Sequence, residues 1–174
     1  MAVIATPGAA DANSYITLVE FAAYLTTRLH VPAAVTGATD PTREAAVIMA
    51  TRYIDGMCFL GAATTDTQAL QWPRTGMESK SGGEVDDSII PQEIKNATAE
   101  LAMLLIVTDL FAPYDVSVQG ITKIKAGPVE LGFKSDIPFK GIPDSVLSLI
   151  PYGWRCESAA DAEIEGGAFM FEAL

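Results

Sequence analysis

Cations are scarce in this chain, histidine is nearly absent and cysteine occurs only twice. Eleven Lys and Arg face 22 Asp and Glu, a formal net charge of −11. Phosphates are gripped by cations that neutralise them, so this balance argues against a surface that wraps nucleic acid. It suits a protein kept soluble by its charge, or one lining a path along which DNA slides without sticking. The lone histidine, His30, leaves no His cluster for a metal and no partner base for a Ser or Cys nucleophile. At the end of a helix it reads as a carbonyl cap or a solvated side chain. Cys58 and Cys156 stand far apart and suggest no framework of bridges, and Cys58, in an apolar run, reads as a small buried hydrophobe. The longest near-apolar run, Leu101 to Val107, falls far short of the roughly 18 residues that suggest a membrane span. No basic segment followed by an apolar core opens the chain, so no secretory signal is expected. The protein is expected in the cytosol, or in a particle assembled there. Neither Gly-x-Gly-x-x-Gly nor a phosphate-binding loop is present, and Ser81-Gly82-Gly83 is only a flexible-linker signal. Asp86-Asp87 reads as a solvated acidic pair. No enzymatic site, cofactor or metal is expected.

What is present is a globular composition, 49% hydrophobic and 19% charged over 174 residues, enough for one domain with a real core. Residues 1–14, rich in Ala, Gly and Pro, read as an arm that orders on a partner. Thr17 and Glu20 form a capping box, and Leu18, Phe21, Ala22, Leu25 and Leu29 follow as an apolar stripe at helical spacing. Val31 to Thr39 reads as loop. Asp40-Pro41 then starts a helix to about Cys58, with Asp40 as cap. Its core face is Ala46, Met49, Ala50, Tyr53 and Met57, while Glu44, Arg52 and Asp55 look outward. Residues 60–91 show no sustained period, and so long a loop marks function or an interface; Ser79 to Asp87 is its most mobile part. A third helix runs from Gln92 to about Phe111, turning apolar all round after Leu101. Such a helix must be buried on every side, at the domain centre or against a second subunit. Beyond Pro113 the period becomes two: Ile121–Lys125 pairs with Val129, Leu131 and Phe133 across Ala126-Gly127-Pro128, a hairpin that must pack on helices or another chain. Pro143-Asp144 starts a short helix, Ser145 to Ile150. The pattern gives a mainly α fold with a β-hairpin: an N-terminal arm (1–14), a helical domain (15–150) with loop 60–91 and hairpin 119–135, and an acidic tail (151–174) with an apolar end.

The densest chemistry lies in Leu70-Gln71-Trp72-Pro73-Arg74-Thr75-Gly76. Single strands are held by aromatic platforms beside cations, and Trp72, Arg74, Tyr53 and Lys80 have the right types for one. The competing expectation is that Trp72 plugs the core and Arg74 anchors the loop, to a helix or to a neighbouring subunit, through carbonyls or a carboxylate.

Three stretches in order resemble the head–tail connector (adaptor) proteins of tailed bacteriophages. They are Ala50-Thr51-Arg52-Tyr53-Ile54-Asp55, then Gln68 to Gly76, then Ile90-Pro91-Gln92-Glu93-Ile94-Lys95-Asn96-Ala97. Ala12-Asn13-Ser14-Tyr15 and Gly127-Pro128-Val129-Glu130 are similar too, so the likeness covers most of residues 12–150. Some members of that family carry the label "DnaT-like single-stranded DNA-binding". The resemblance implies a small helical bundle with a protruding hairpin. Twelve copies would form a ring beneath the portal vertex of a filled head, extending the DNA channel towards the next neck protein. It implies a portal contact in residues 151–174, with Trp154, Phe169, Met170, Phe171 and Leu174 as candidates, although that tail is longer than the family's. Lys123, Lys125 and Lys134 concentrate positive charge on the hairpin and are expected either to touch an acidic neighbour or passing DNA, or merely to solvate an outer face.

Overall fold

The structure, a computed structural model, describes residues 2–111 and 141–156 together with the backbone of 123–126 and 129–132. Among these are five α-helices: α1 (Leu18–Thr27), α2 (Ala33–Thr36), α3 (Asp40–Asp55), α4 (Gln92–Val107) and α5 (Asp144–Leu147). Two antiparallel ribbons accompany them, β1 (Ala62–Ala63) with β2 (Arg74–Thr75) and β3 (Lys123–Ala126) with β4 (Val129–Gly132), and a 3-10 turn spans Tyr152–Trp154. The fold is mainly helical with a two-stranded hairpin, and no described helix is long and apolar enough to cross a membrane.

Local signals set the helix starts. Thr17 accepts the Glu20 N–H at 3.1 Å while the Glu20 carboxylate accepts the Thr17 N–H at 2.7 Å, the reciprocal arrangement of a capping box. α1 stops at Thr27, so Leu29 leaves the helix and stands 88% exposed instead of completing the stripe. A short helix, α2, forms inside the expected loop after Pro32. α3 is capped by Thr39, not Asp40; Asp40 is its first residue, where a carboxylate favours the helix dipole.

α3 packs chiefly on α4, and between them lies the core: Val47, Ala50 and Ile54 from α3 with Ile94, Ala97, Leu101 and Ala102 from α4. The buried face of α3 is wider than its stripe suggested, because the N-terminal segment covers a second side. Thr51 is fully buried there, donating to the Val47 carbonyl (2.8 Å) and accepting the Tyr15 N–H (3.1 Å). Met49, Tyr53 and Met57, expected inward, are only half-buried. α4 ends four residues early: Thr108 is extended, Asp109 accepts the Phe111 N–H at 3.0 Å, and the Phe111 ring folds back to stack on Tyr53. Its apolar end is not enclosed on all sides, since Leu104, Leu105 and Ile106 are half-buried and Val107 is 47% exposed.

The N-terminal arm orders on this chain itself. Asn13 accepts the Ile4 N–H (2.8 Å) and donates to the Ala2 carbonyl (3.0 Å), closing a loop that the Ala69 N–H ties to the Ala9 carbonyl at 3.1 Å. Ser79–Asp87 likewise begins with a closed turn, with Ser79 N–H to Gly83 O at 2.7 Å and Val85 N–H to Met77 O at 2.9 Å. The expected hairpin forms, β3 pairing with β4, but Ala126, expected in the turn, belongs to the strand and pairs with Val129, as Lys123 does with Gly132.

Candidate functional site

The stretches singled out in the sequence meet in space. Tyr15, from the N-terminal segment, is fully buried and its hydroxyl donates to the Asp55 carboxylate at the end of α3. The same carboxylate oxygen accepts the Gln71 N–H at 2.6 Å. The Gln71 side-chain amide donates to the carbonyls of Asp55 and Met57 (2.8 Å to Met57), satisfying groups left open where α3 ends. Asp55 was expected to look outward. It is half-buried because the N-terminal segment and loop 60–91 close over it, and it joins both to α3.

Arg74 lies beneath this junction, 8% exposed. Its Nε donates to Leu60 O (2.7 Å), Nη2 to Gly61 O (2.9 Å) and Phe59 O (3.2 Å), and Nη1 to Gln71 Oε1 (3.1 Å) and Gln71 O (3.3 Å). Three successive carbonyls, 59 to 61, therefore wrap one guanidinium. That curl requires Gly61, whose φ is +71° and where a Cβ would fall 2.3 Å from the Thr75 carbonyl oxygen. Burial pushes Arg74 below the ordinary guanidinium value, and the nearby Tyr15 and Asp55 partly offset this. Burial also raises the Tyr15 hydroxyl well above the usual phenol value, helped by the adjacent Asp55 charge.

Trp72 precedes Pro73 across a cis peptide bond and is 1% exposed. Phe59 meets it edge-on at 5.5 Å and Trp154 lies tilted at 5.1 Å. The Trp72 indole N–H is buried without a hydrogen-bond partner, so the ring is held by packing alone. Trp154 is itself 3% exposed and donates its indole N–H to Glu78 O at 2.6 Å. The expectation that Trp154 faces a partner is therefore corrected: it closes the cage over Trp72. Cys58 and Cys156 form a disulfide across 98 residues, correcting the reading of Cys58 as a free buried thiol. Two backbone bonds flank it, Leu60 N–H to Trp154 O (2.9 Å) and Cys156 N–H to Cys58 O (3.1 Å).

The four residues proposed for a single-strand platform are not brought together. Trp72 and Arg74 are interior, Tyr53 stacks on Phe111, and Lys80 is exposed on a separate turn. Lys123 and Lys125 lie on β3, with their side chains outside the described residues, as are Lys134, Phe169, Met170, Phe171 and Leu174. His30 is exposed beyond the end of α1. Asp86 accepts both the Ser88 N–H (2.9 Å) and its hydroxyl (2.6 Å), bonds that hold its carboxyl below the usual range. Among the described residues no group of His, Cys, Asp or Glu is placed to hold a metal. Tyr15, Asp55, Gln71 and the Cys58–Cys156 pair were not given these roles from the sequence; each acts through a contact far away in the chain. The hub is a clasp: it joins the N-terminal segment, the end of α3, loop 60–91 and the strap 151–156.

A family model described as "Putative DnaT-like ssDNA binding protein" matches residues 1–162, and the chain belongs to that family. Comparison with curated proteins and with solved structures finds no match.

Proposed function

We propose that this member of the DnaT-like family is a structural assembly protein rather than an enzyme: an adaptor subunit of a tailed-phage neck. Twelve copies form a ring that docks under the portal vertex, extends the DNA channel and receives the next neck protein. It is assembled in the host cytoplasm and ends in the virion. One observation carries the reading: the loop most similar to connector proteins uses Trp72 and Arg74 inside the fold, as a clasp that gives a small helical body its shape. The exposed apolar end of α4 at Val107 and the net charge of −11 suit a subunit interface and a channel that does not retain DNA. Phe169, Met170, Phe171 and Leu174 remain the portal-gripping candidates, without Trp154. Lys123, Lys125 and Lys134 would face an acidic neighbour or the passing DNA.

The tagged full chain, recovered from phage-infected lysate, is expected to bring down portal and neck proteins. A chain lacking residues 157–174 should lose the portal and keep its melting temperature. Undiminished portal recovery after that deletion would remove the tail from the interface.

A second reading, a single-stranded DNA-binding replication accessory protein, is favoured by the family's own description. It predicts recovery of helicase, primase or single-stranded DNA in place of the portal.

A further inference from the structure

Beside the Trp72 cage, two segments distant in sequence enclose a groove of about 340 Å³: Glu78–Lys80 on one side and Pro151–Trp154 on the other. Its walls are fixed to each other by the Trp154 indole N–H on the Glu78 carbonyl (2.6 Å). The Cys58–Cys156 disulfide holds the strap that carries one of them. Tyr152 opens to solvent here, 59% exposed, and the Arg155 guanidinium carbon lies 5.4 Å from its ring centroid. Lys80, exposed, lines the same groove. A chain with only 11 cations against 22 acids thus places Lys80 in the lining of this groove and Arg155 over the ring that opens into it. Among the described ion pairs neither Lys80 nor Arg155 takes part. The Arg155 Nε–H is buried without an acceptor. Glu78, also in the lining, is the opposing charge at the rim.

We propose that this groove holds one nucleotide of a single-stranded DNA, its base stacked on Tyr152 and its flanking phosphates neutralised by Lys80 and Arg155. Aromatic platforms bind any base through its π face, and adjacent cations track the backbone. The walls are set before binding, so little order has to be created when the strand arrives. The inference rests on the single-stranded DNA reading and locates it at a surface separate from Trp72 and Arg74.

Fluorescence anisotropy of a labelled oligothymidylate, titrated with the full chain over a range of salt, tests it. Tyr152→Ala should weaken binding about fivefold or more, whereas Tyr152→Phe, which keeps the ring, should hold near wild type. Lys80→Ala should lower the slope of log affinity against log salt by about 0.7, the value of one phosphate contact on a single strand. Arg52→Ala removes another exposed cation, from α3, and should change neither quantity. Wild-type binding that survives both Tyr152→Ala and Lys80→Ala would overturn the groove while leaving the DNA reading standing. No binding by the wild-type chain at low salt would overturn both.

Discussion

Two seams hold this small body together, and they are made of opposite materials. Between α1 and α4 the contacts are charged and reach water at Glu20, Lys95 and Arg28: Glu20 to Lys95 at 2.5 Å, and the buried Glu100 accepting from Arg28 and from the Tyr24 hydroxyl (2.8 Å). Glu20, Lys95 and Arg28 keep between 26% and 40% of their side-chain surface exposed. Around Trp72 the partners are rings, neutral carbonyls and a disulfide. An exposed ion pair is screened by water and salt, and its loss leaves each partner free to hydrate. Around Trp72 and Arg74 the groups are dry, so removing one strands another without a partner. The same chain therefore carries one seam that responds to salt and pH and another that responds to volume, bond geometry and redox state.

Trp72→Ala should produce the largest effect. It removes the ring that Phe59 and Trp154 pack against, and truncating a buried Trp costs about 3–5 kcal/mol. Denaturant melts should show that loss equally at low and high salt; a loss of less than about 1 kcal/mol, in the range of an ordinary surface substitution, would mean the cage is not core. Cys58→Ser comes next. Cys58 is exposed, so the substitution itself sacrifices little packing, and the expected drop of about 2–5 kcal/mol reflects release of a long closed loop in the unfolded chain. Adding a dithiol reductant to the wild type should reproduce the drop and have no effect on the variant.

Arg74→Lys is expected to fall in the middle, at about 2 kcal/mol, since a single ammonium cannot serve carbonyls 59 to 61 in the planar fork that a guanidinium provides. Retention of the charge should rescue little: it keeps the attraction of the nearby Asp55, but the groups Arg74 bonds directly are neutral. Full stability in Arg74→Lys would show that the curl at Gly61 holds without the fork.

How legible these seams were depended on distance along the chain. The capping box at Thr17–Glu20 and the β3–β4 pairing are local, so composition and period were enough to find them, though not the place of Ala126 in the strand. The main body of α3 and α4 followed from apolar spacing, while their ends did not. α4 stops at Val107, with Thr108 extended and Phe111 folded back onto Tyr53, and Leu29 left its stripe because α1 stops at Thr27. The clasp was half visible: Trp72 and Arg74 stood out by residue type. Asp55 looked solvent-facing on its helix, and Cys156 and Trp154 looked like the start of a tail. Each takes its role from a partner tens of residues away, as Trp154 does from Trp72 and Cys156 from Cys58, and no local pattern encodes such a meeting. The Ala/Gly/Pro composition of residues 1–14 resembled a free arm, yet the single side chain of Asn13 closes it.

The smallest expected effect tests the charged seam. Burial works against the Glu20 charge, but hydrogen bonds from Lys95 and Thr17 prevail and hold its carboxyl below the ordinary carboxylate value of 4.5. A carboxylate depressed in the folded state contributes stability above its unfolded pKa and loses it as pH falls through the folded one. The contribution should therefore be complete at neutral pH and fade below about pH 4.5. Tyr24 gives the opposite sign. Burial first, and Glu100 second, push its hydroxyl up to about 12, so the neutral phenol stabilises the fold below its ordinary pKa near 10, and that contribution is lost as pH rises towards 12. Glu20→Gln, which keeps side-chain oxygen for the cap but not the charge for Lys95, should cost no more than about 1 kcal/mol at neutral pH. That difference should shrink in high salt and vanish in acid. A cost that neither salt nor acid changes would mean that Glu20 acts through its capping bond alone, and the contrast between the two seams would then fail, because the other carboxylate of the charged seam, Glu100, is itself buried.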